Sequence, residues 1–525
     1  MKKRLFACLL AAVTMASLAS CGGNSGNVSS GDNTDKAAGS SVGGGSDNSA
    51  ASGEVTTVGF NYINFGTLSD TAPVNDVINA YLEEQGKDVR VDLHMYDAAS
   101  YNDQMNLMIS SGEEVDLFLP LAGVSTTSAK GQICDLTDIA EANCPGALEL
   151  TKDWLKAATV DGHLYGIPVY KGIMLQNYFI ASQAMTDEMG IDLSSLSSIY
   201  DFPAVFDKVK EKYPNVYPLV PLNANAYNML DFFLGSTNGY RIDMLGDRTT
   251  TCTVCLVGDD MTVVNLYETD AFRDTCNLAY EWQAAGYLMP DTSTSPDSAS
   301  SLMAEKRGYA TIGGYGNSPE VLSSNSLGGG SEPAYYQVIE KPYMTTSSVS
   351  LNYVVGITSK HPEAALRFLE LTYTDEFVCN SILYGVEGRD YKKVTDDTIT
   401  YADGVDSTTV AYDSITTCGI LGSQFIQWGR DQDVELLKAD RDFMLNNIKN
   451  AVQSPAFGFV FDSSSVKTEV SAVGNVITQY FNALTNGELD PDIYIDEFNA
   501  KLKDAGVETI IAEKQKQLDA WKANN

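Results

Sequence analysis

Apolar residues are spaced in three different ways along this chain. Leu5 to Leu18 is a nearly unbroken apolar run, interrupted only by Thr14 and Ser17. Gly22 to Gly53 is the opposite: 32 residues with nine Gly, eight Ser, four Asn and no aromatic. From Glu54 onward the spacing becomes periodic. Val55 to Phe60 reads as a strand that ends at a turn-like Asn61-Tyr62-Ile63-Asn64. Pro73 to Gln85 has helical spacing, with Val74, Val77, Ile78 and Leu82 on one face. Val89, Val91, Leu93 and Met95 alternate, as in a strand. Ser100 can cap a helix whose stripe is Met105, Met108 and Ile109 and which Gly112 ends. Asp116 to Pro120 is a short buried strand. Strand, helix, strand, helix, strand predicts a parallel α/β sheet with right-handed crossovers. Ligands of such sheets sit beyond the carboxyl ends of the strands. That places Asn61, Tyr62, Tyr96 and the loop after Pro120 at one rim.

Two later landmarks follow. Tyr165-Gly166-Ile167-Pro168-Val169-Tyr170 is extended and stiffened by Pro168, and a second α/β pattern starts after it. Tyr309 to Gly316 is a strand running into glycines that let the backbone approach a neighbour closely.

The apolar run near the amino terminus follows Lys2, Lys3 and Arg4. It is short of the ~20 residues of a membrane span and ends in small residues, as a secretory signal does. Leu18-Ala19-Ser20-Cys21 resembles the bacterial lipobox, which implies cleavage before Cys21 and acylation of that cysteine. The Gly/Ser segment cannot bury enough apolar surface to offset its ordering entropy, so we expect a disordered leash, spanning roughly 30 Å as a flexible coil. Loss of the three signal cations takes the formal charge of −35 to −38. That acidity excludes a nucleic-acid footprint and adsorption on an anionic bilayer, so the expected membrane contact is the lipid anchor alone. Seven cysteines remain beyond Cys21, an odd number that leaves at least one unpaired in a monomer. Cys252-Thr253-Val254-Cys255 has no second C-x-x-C or histidine pair to complete a zinc set and reads as buried thiols or one local disulfide.

In order along residues 54–525, several segments resemble the sugar-type extracellular solute-binding proteins that include maltose-binding protein. They are the lipobox, Ser110-Ser111-Gly112-Glu113 before the Asp116-Leu117-Phe118 strand, Tyr165-Gly166-Ile167-Pro168, Ala310-Thr311-Ile312-Gly313-Gly314, and Ser359-Lys360-His361-Pro362-Glu363-Ala364-Ala365. Tyr384-Gly385-Val386-Glu387-Gly388-Arg389-Asp390-Tyr391 resembles the GIEG..Y signature of one branch. Phe457 to Asp462 with Val466-Lys467-Thr468-Glu469 matches that branch too. There a helical carboxyl-terminal region follows, as Val470–Leu484 and Ile510–Trp521 suggest here.

The resemblance implies a type II, two-lobe α/β fold with a hinge and a central cleft. Residues 1–20 would be the signal and 21–53 the lipidated leash. Lobe one would be 54–171 with 354–392, and lobe two 172–353 with 393–525. It implies a monomeric lipoprotein on the outer side of the cytoplasmic membrane. Such a protein captures a small solute, here expected to be an oligosaccharide, by hinge closure and delivers it to an ABC permease, with no cofactor, metal or catalysis. A sugar site wants aromatic platforms with amide, carboxylate and cationic hydrogen-bonding groups. On that basis the candidates are Asn61, Tyr62 and Tyr170 (beside Lys171) from lobe one, and Tyr227, Tyr315, Trp428 and Arg430 from lobe two. For each aromatic, packing is the competing role. Trp154 and Trp282 lie on helical stripes and read as core; Trp521 reads as packing.

Rival readings are the same fold binding peptide or another solute, the same fold feeding a membrane sensor, and a secreted hydrolase. The hydrolase has little support. His94, His163 and His361 form no H-E-x-x-H, Gly39-Ser40-Ser41-Val42-Gly43 lies in the leash rather than at a strand-to-helix elbow, and Ser464-Ser465-Val466-Lys467 lacks its partner motifs. No phosphate-binding Walker loop occurs, so ATP hydrolysis would belong to another chain.

Overall fold

The computed structural model describes residues 55–524 apart from 174–175, 197, 228, 237–241, 247–252, 257–260, 325–332, 338–342 and 415–418. The signal, Cys21, the leash and Cys252 therefore lie outside the described residues. Along the chain the principal strands are β1 (Thr56–Asn64), β2 (Val89–Asp97), β3 (Leu117–Phe118), β4 (Ile167–Pro168), β5 (Gln176–Ser182), β6 (Tyr217–Leu219), β7 (Gly308–Tyr315), β8 (Pro333–Gln337) and β9 (Asn352–Val355). They form two sheets, ordered β2-β1-β3-β9-β4 and β8-β5-β7-β6.

In the first sheet β1 runs parallel to β2 and β3, whereas β9 is antiparallel to both β3 and β4. Helices α1 (Ala72–Glu84) and α2 (Tyr101–Ser111) make the crossovers. Pro73 opens α1, and Val74, Ile78 and Leu82 are its buried face. Gly112 ends α2 at φ 78°, a left-handed conformation that costs glycine nothing. Asp116 explains two of the sequence landmarks together. Buried beside β3, it accepts the Gly59 amide of β1 at 2.8 Å and the Ser359 hydroxyl at the start of the Lys360-His361-Pro362 segment.

The second sheet is covered by α3 (Phe202–Lys212) and α4 (Asp270–Ala284). Its core holds Phe179, Phe202, Phe206, Trp282 and Ile312. Trp154 and Trp282 are each 2% exposed and occupy core positions. Helices α5 (Pro362–Thr374) and α6 (Glu376–Tyr384) return to the first lobe. They are followed by α7 (Val434–Asn450) and by α8 (Lys467–Thr485), α9 (Pro491–Asp504) and α10 (Val507–Asn524). The last three helices pack with Phe459 and Phe461 into a separate core, and Trp521 lies 6.0 Å from the Phe459 ring.

Two features differ from the sequence expectation. Strand β1 does not stop at Phe60 but continues to Asn64, in register with β2 throughout. Tyr62 and Ile63 are buried on opposite faces because helices cover both sides of the sheet. And Ile399, Tyr412, Leu421 and Trp428 share the core of β1, α5 and α6, so packing with the first lobe runs past residue 392 to Trp428.

Candidate ligand cleft at the hinge

Strand directions locate the site. Chain leaves the first sheet at Pro168 and returns to it at Asn352, which pair with each other. Because β3 is antiparallel to β9, the carboxyl ends of β1, β2 and β3 lie on that same side. In the second sheet β5 starts just after the hinge. The end of β7 at Tyr315 sits opposite Gln176, and β6 runs parallel to β7. Both lobes therefore turn the carboxyl ends of their parallel strands toward the hinge, where ligands of α/β sheets bind.

The hinge is tightly bonded. The Val169 amide donates to Leu351 O, the Tyr170 amide to Gly422 O, and the Gln424 amide back to Tyr170 O, all at 2.8–2.9 Å. The Gly172 amide donates to Gln424 Oε1 at 2.9 Å. Two glycines sit at close approaches. A Cβ on Gly316 would meet Ile173 O at 3.0 Å, and one on Gly172 would meet Met444 Sδ of α7 at 2.3 Å. Within this frame Tyr170 is half-buried between Trp154 (ring centroids 5.2 Å) and Phe425 (5.0 Å). Burial and the nearby Asp153 charge push the Tyr170 phenol pKa up, so it stays a neutral hydrogen-bonding group at physiological pH. Phe425 is half-buried as well and could not be singled out from sequence, because its position depends on the fold of 422–426 against the hinge.

The other expected site residues are dispersed among packing positions. Asn61 is 2% exposed; its amide donates to Leu117 O and its carbonyl accepts the Tyr96 hydroxyl. Tyr62 is fully buried in the first core, its hydroxyl 2.6 Å from that of Tyr412. Tyr227 is fully buried in the second; its hydroxyl accepts the Met289 amide at 2.7 Å. Burial likewise raises the pKa of this phenol. Trp428, in a segment whose polarity argued against core, packs against Tyr391 with the Lys393 ammonium 3.9 Å from its ring centre. Arg430 is buried too. Its guanidinium grips Asp413 at 2.7 and 3.2 Å and donates to the Tyr401 hydroxyl. Lys171 is half-exposed at the hinge. Tyr315 ends β7 at the hinge side; its side chain lies outside the described residues. Thus Tyr170, Lys171 and the backbone of Tyr315 are brought to the hinge, whereas Asn61, Tyr62, Tyr227, Trp428 and Arg430 are buried within the lobes.

The Tyr384–Tyr391 motif is a structural turn. Asp390 accepts the Val386 amide and the Arg389 guanidinium, and Gly385 sits where a Cβ would lie 2.3 Å from Asp390 Oδ2. Cys134, Cys144 and Cys276 are free thiols, buried or half-buried, and Cys379 is buried. Among the described residues no group of His, Cys, Asp or Glu could hold a metal ion, and no helix is long and apolar enough to cross a membrane.

Two α/β lobes joined by a bonded hinge, with strand ends converging on it, define a hinge-type binding protein. The chain belongs to the bacterial extracellular solute-binding protein family, whose profile matches residues 76–378; a domain of unknown function matches 455–523, the carboxyl-terminal helices. A carbohydrate ABC transporter substrate-binding protein of Streptococcus pneumoniae is 27% identical over 461 residues, 85% of this chain and 87% of that protein. Among solved structures, an N-glycan transport solute binding protein of S. pneumoniae matches 89% of this chain and 99% of its own, with a TM-score of 0.72 at 23% identity. An extracellular solute-binding protein of Bifidobacterium longum subsp. infantis matches 90% and 99%, with a TM-score of 0.63 at 14% identity.

Proposed function

We propose that this protein is the substrate-binding subunit of an ABC importer and that its solute is an oligosaccharide. It would act as a monomer tethered by acylated Cys21 to the outer face of the cytoplasmic membrane, binding without catalysis and handing its ligand to the permease. The observation that carries the sugar assignment is the match over most of both chains to a carbohydrate transporter protein. The structural neighbours include the pneumococcal N-glycan protein in complex with Man1GlcNAc and with Man5GlcNAc. The Trp154–Tyr170–Phe425 aromatic group supports the same reading, because a half-buried ring beside hydrogen-bonding groups suits the apolar face of a sugar.

The test is calorimetric titration of the chain lacking its first 53 residues, which keeps every described element, with Man5GlcNAc, shorter manno-oligosaccharides and short peptides. Saturable binding of one sugar class, weakened by Tyr170→Ala, supports the proposal. Binding of peptides with no response to any sugar would retain the binding-protein role and overturn the oligosaccharide.

A further inference from the structure

The turn that ends β7, Gly316-Asn317-Ser318, lies on the hinge side of the second lobe. Gly316 passes close to Ile173 O, where an added Cβ would lie 3.0 Å away, and the Ser318 hydroxyl accepts the Val321 amide at 3.3 Å. From outside, the turn is held by Asp440, from a helix more than a hundred residues later in the chain. Asp440 Oδ1 accepts the Ser318 amide at 2.5 Å, and Oδ2 accepts the Asn317 side-chain amide at 2.8 Å. Asp440 is only 5% exposed. Burying a carboxylate is costly unless its bonds are well made, and this burial, against the two bonds and beside Glu320, pushes its pKa up. A packing position on α7 would be filled more cheaply by leucine.

The helix that carries Asp440 is braced on the other lobe. Arg441, the next residue, donates to Asp397 Oδ1 at 2.9 Å and to Gln427 O, and Lys438 pairs with Asp397 at 3.4 Å. Asp397 and Gln427 flank Ile399 and Trp428, which belong to the first lobe's core. One turn further on, Met444 rests against Gly172 of the hinge. Two consecutive residues of α7 thus fix the β7 turn on one side and the first lobe on the other.

We infer that Asp440 is a positioning residue for ligand capture: through Ser318 and Asn317 it sets the β7 turn, with the Tyr315 backbone before it, relative to the hinge and the first lobe. This rests on the proposed reading that the hinge-side strand ends bind an oligosaccharide. The residue does not touch ligand itself; it acts through the turn.

The experiment uses Asp440→Leu, which removes both acceptors while keeping the branch at Cγ, and Asp440→Asn, which keeps an acceptor for Ser318 while rotation of the Asn317 amide restores the second bond. Asp390→Asn serves as a control. That residue is a buried carboxylate bonded to the Val386 amide and to Arg389 within the Tyr384–Tyr391 turn of the first lobe, and not to the β7 turn. Affinity for Man5GlcNAc and melting temperature are measured for each. The expected result is a loss of at least about tenfold in affinity for Asp440→Leu, about 1.4 kcal/mol. Asp440→Asn should recover most of it, and Asp390→Asn should lower the melting temperature without changing affinity. Wild-type binding with unchanged affinity in Asp440→Leu, whatever its melting temperature, overturns the positioning role alone. Absence of sugar binding by the wild type overturns the oligosaccharide reading and this inference with it.

Discussion

Arg430 is the residue whose role the sequence and the structure describe most differently, and a pair of substitutions separates the two. Its side chain is 2% exposed, whereas its partner Asp413 is 23% exposed. Burial opposes the guanidinium charge, but the bonds and charge of Asp413 outweigh it and hold the group above its usual pKa. The guanidinium also lies 5.0 Å from the Tyr384 ring centre and 4.5 Å from that of Tyr401. Asp413→Ala leaves a buried cation with only the Tyr401 hydroxyl and two ring faces, a loss of about 3–5 kcal/mol in stability. Arg430→Met leaves a carboxylate that water can reach, and the methionine keeps much of the packing, so about 1–2 kcal/mol is expected. Removing the aspartate should therefore cost more than removing the arginine, and a double variant, Arg430→Met with Asp413→Leu, should be less destabilised than Asp413→Ala alone. Urea unfolding followed by tryptophan fluorescence gives the three stabilities, and titration with Man5GlcNAc gives the affinities. A loss of affinity beyond tenfold in Arg430→Met with stability unchanged would refute the structural role and return Arg430 to the ligand site.

Three further outcomes are expected. Tyr170→Ala should weaken sugar binding by about tenfold, an aromatic contact of about 1 kcal/mol or more lost from the site, and titration reads it directly. Gly422→Ala should lower the melting temperature by several degrees. Gly422 has φ +47°, and an added Cβ would fall 2.1 Å from Thr372 O, so left-handed strain of about 1–2 kcal/mol adds to an overlap with backbone that cannot step aside. Asp397 is held below the usual carboxylate range, first by its hydrogen bond from Arg441 and then by the charges of Arg441 and Lys438. A depressed folded-state pKa gives stability that is present above the unfolded value of about 3.9 and is lost as pH falls through the folded value. Urea midpoints compared between pH 7 and pH 3 should therefore fall less in Asp397→Asn than in the wild type.

The order of strands and helices from Val55 to Pro120 was legible because each element has a one-sided apolar period and its partners are neighbours in sequence. The end of β1 was not: Asn61 and Asn64 look like turn residues, but both are buried, with side-chain amides bonded to Leu117 O and Thr67 O. Trp428 was misread for a related reason. Its polar neighbours Gln427 and Arg430 are themselves buried, bonded to Leu421 O and to Asp413. Asp440 carried no signal at all, since a carboxylate on an amphipathic helix normally faces water and its partners lie at 317 and 318. What hid these positions was that their polar groups are paired inside the fold rather than left to water, whether the partner lies three residues away or more than a hundred.

The placement of β9 has a consequence for how the chain acquires its shape. Phe118 pairs with Val354 and Pro168 with Asn352, so the first sheet stays split in two until residue 355 is available. A chain emerging from its amino terminus must hold β3 with an unpaired edge while the whole second sheet is still being added. Closing a loop of that length is slow, and open strand edges recruit other chains. Translocation as an extended thread, with folding deferred until the segment beyond β9 has crossed, suits this topology, and a truncation just before Asn352 would be expected to aggregate rather than leave a working first lobe.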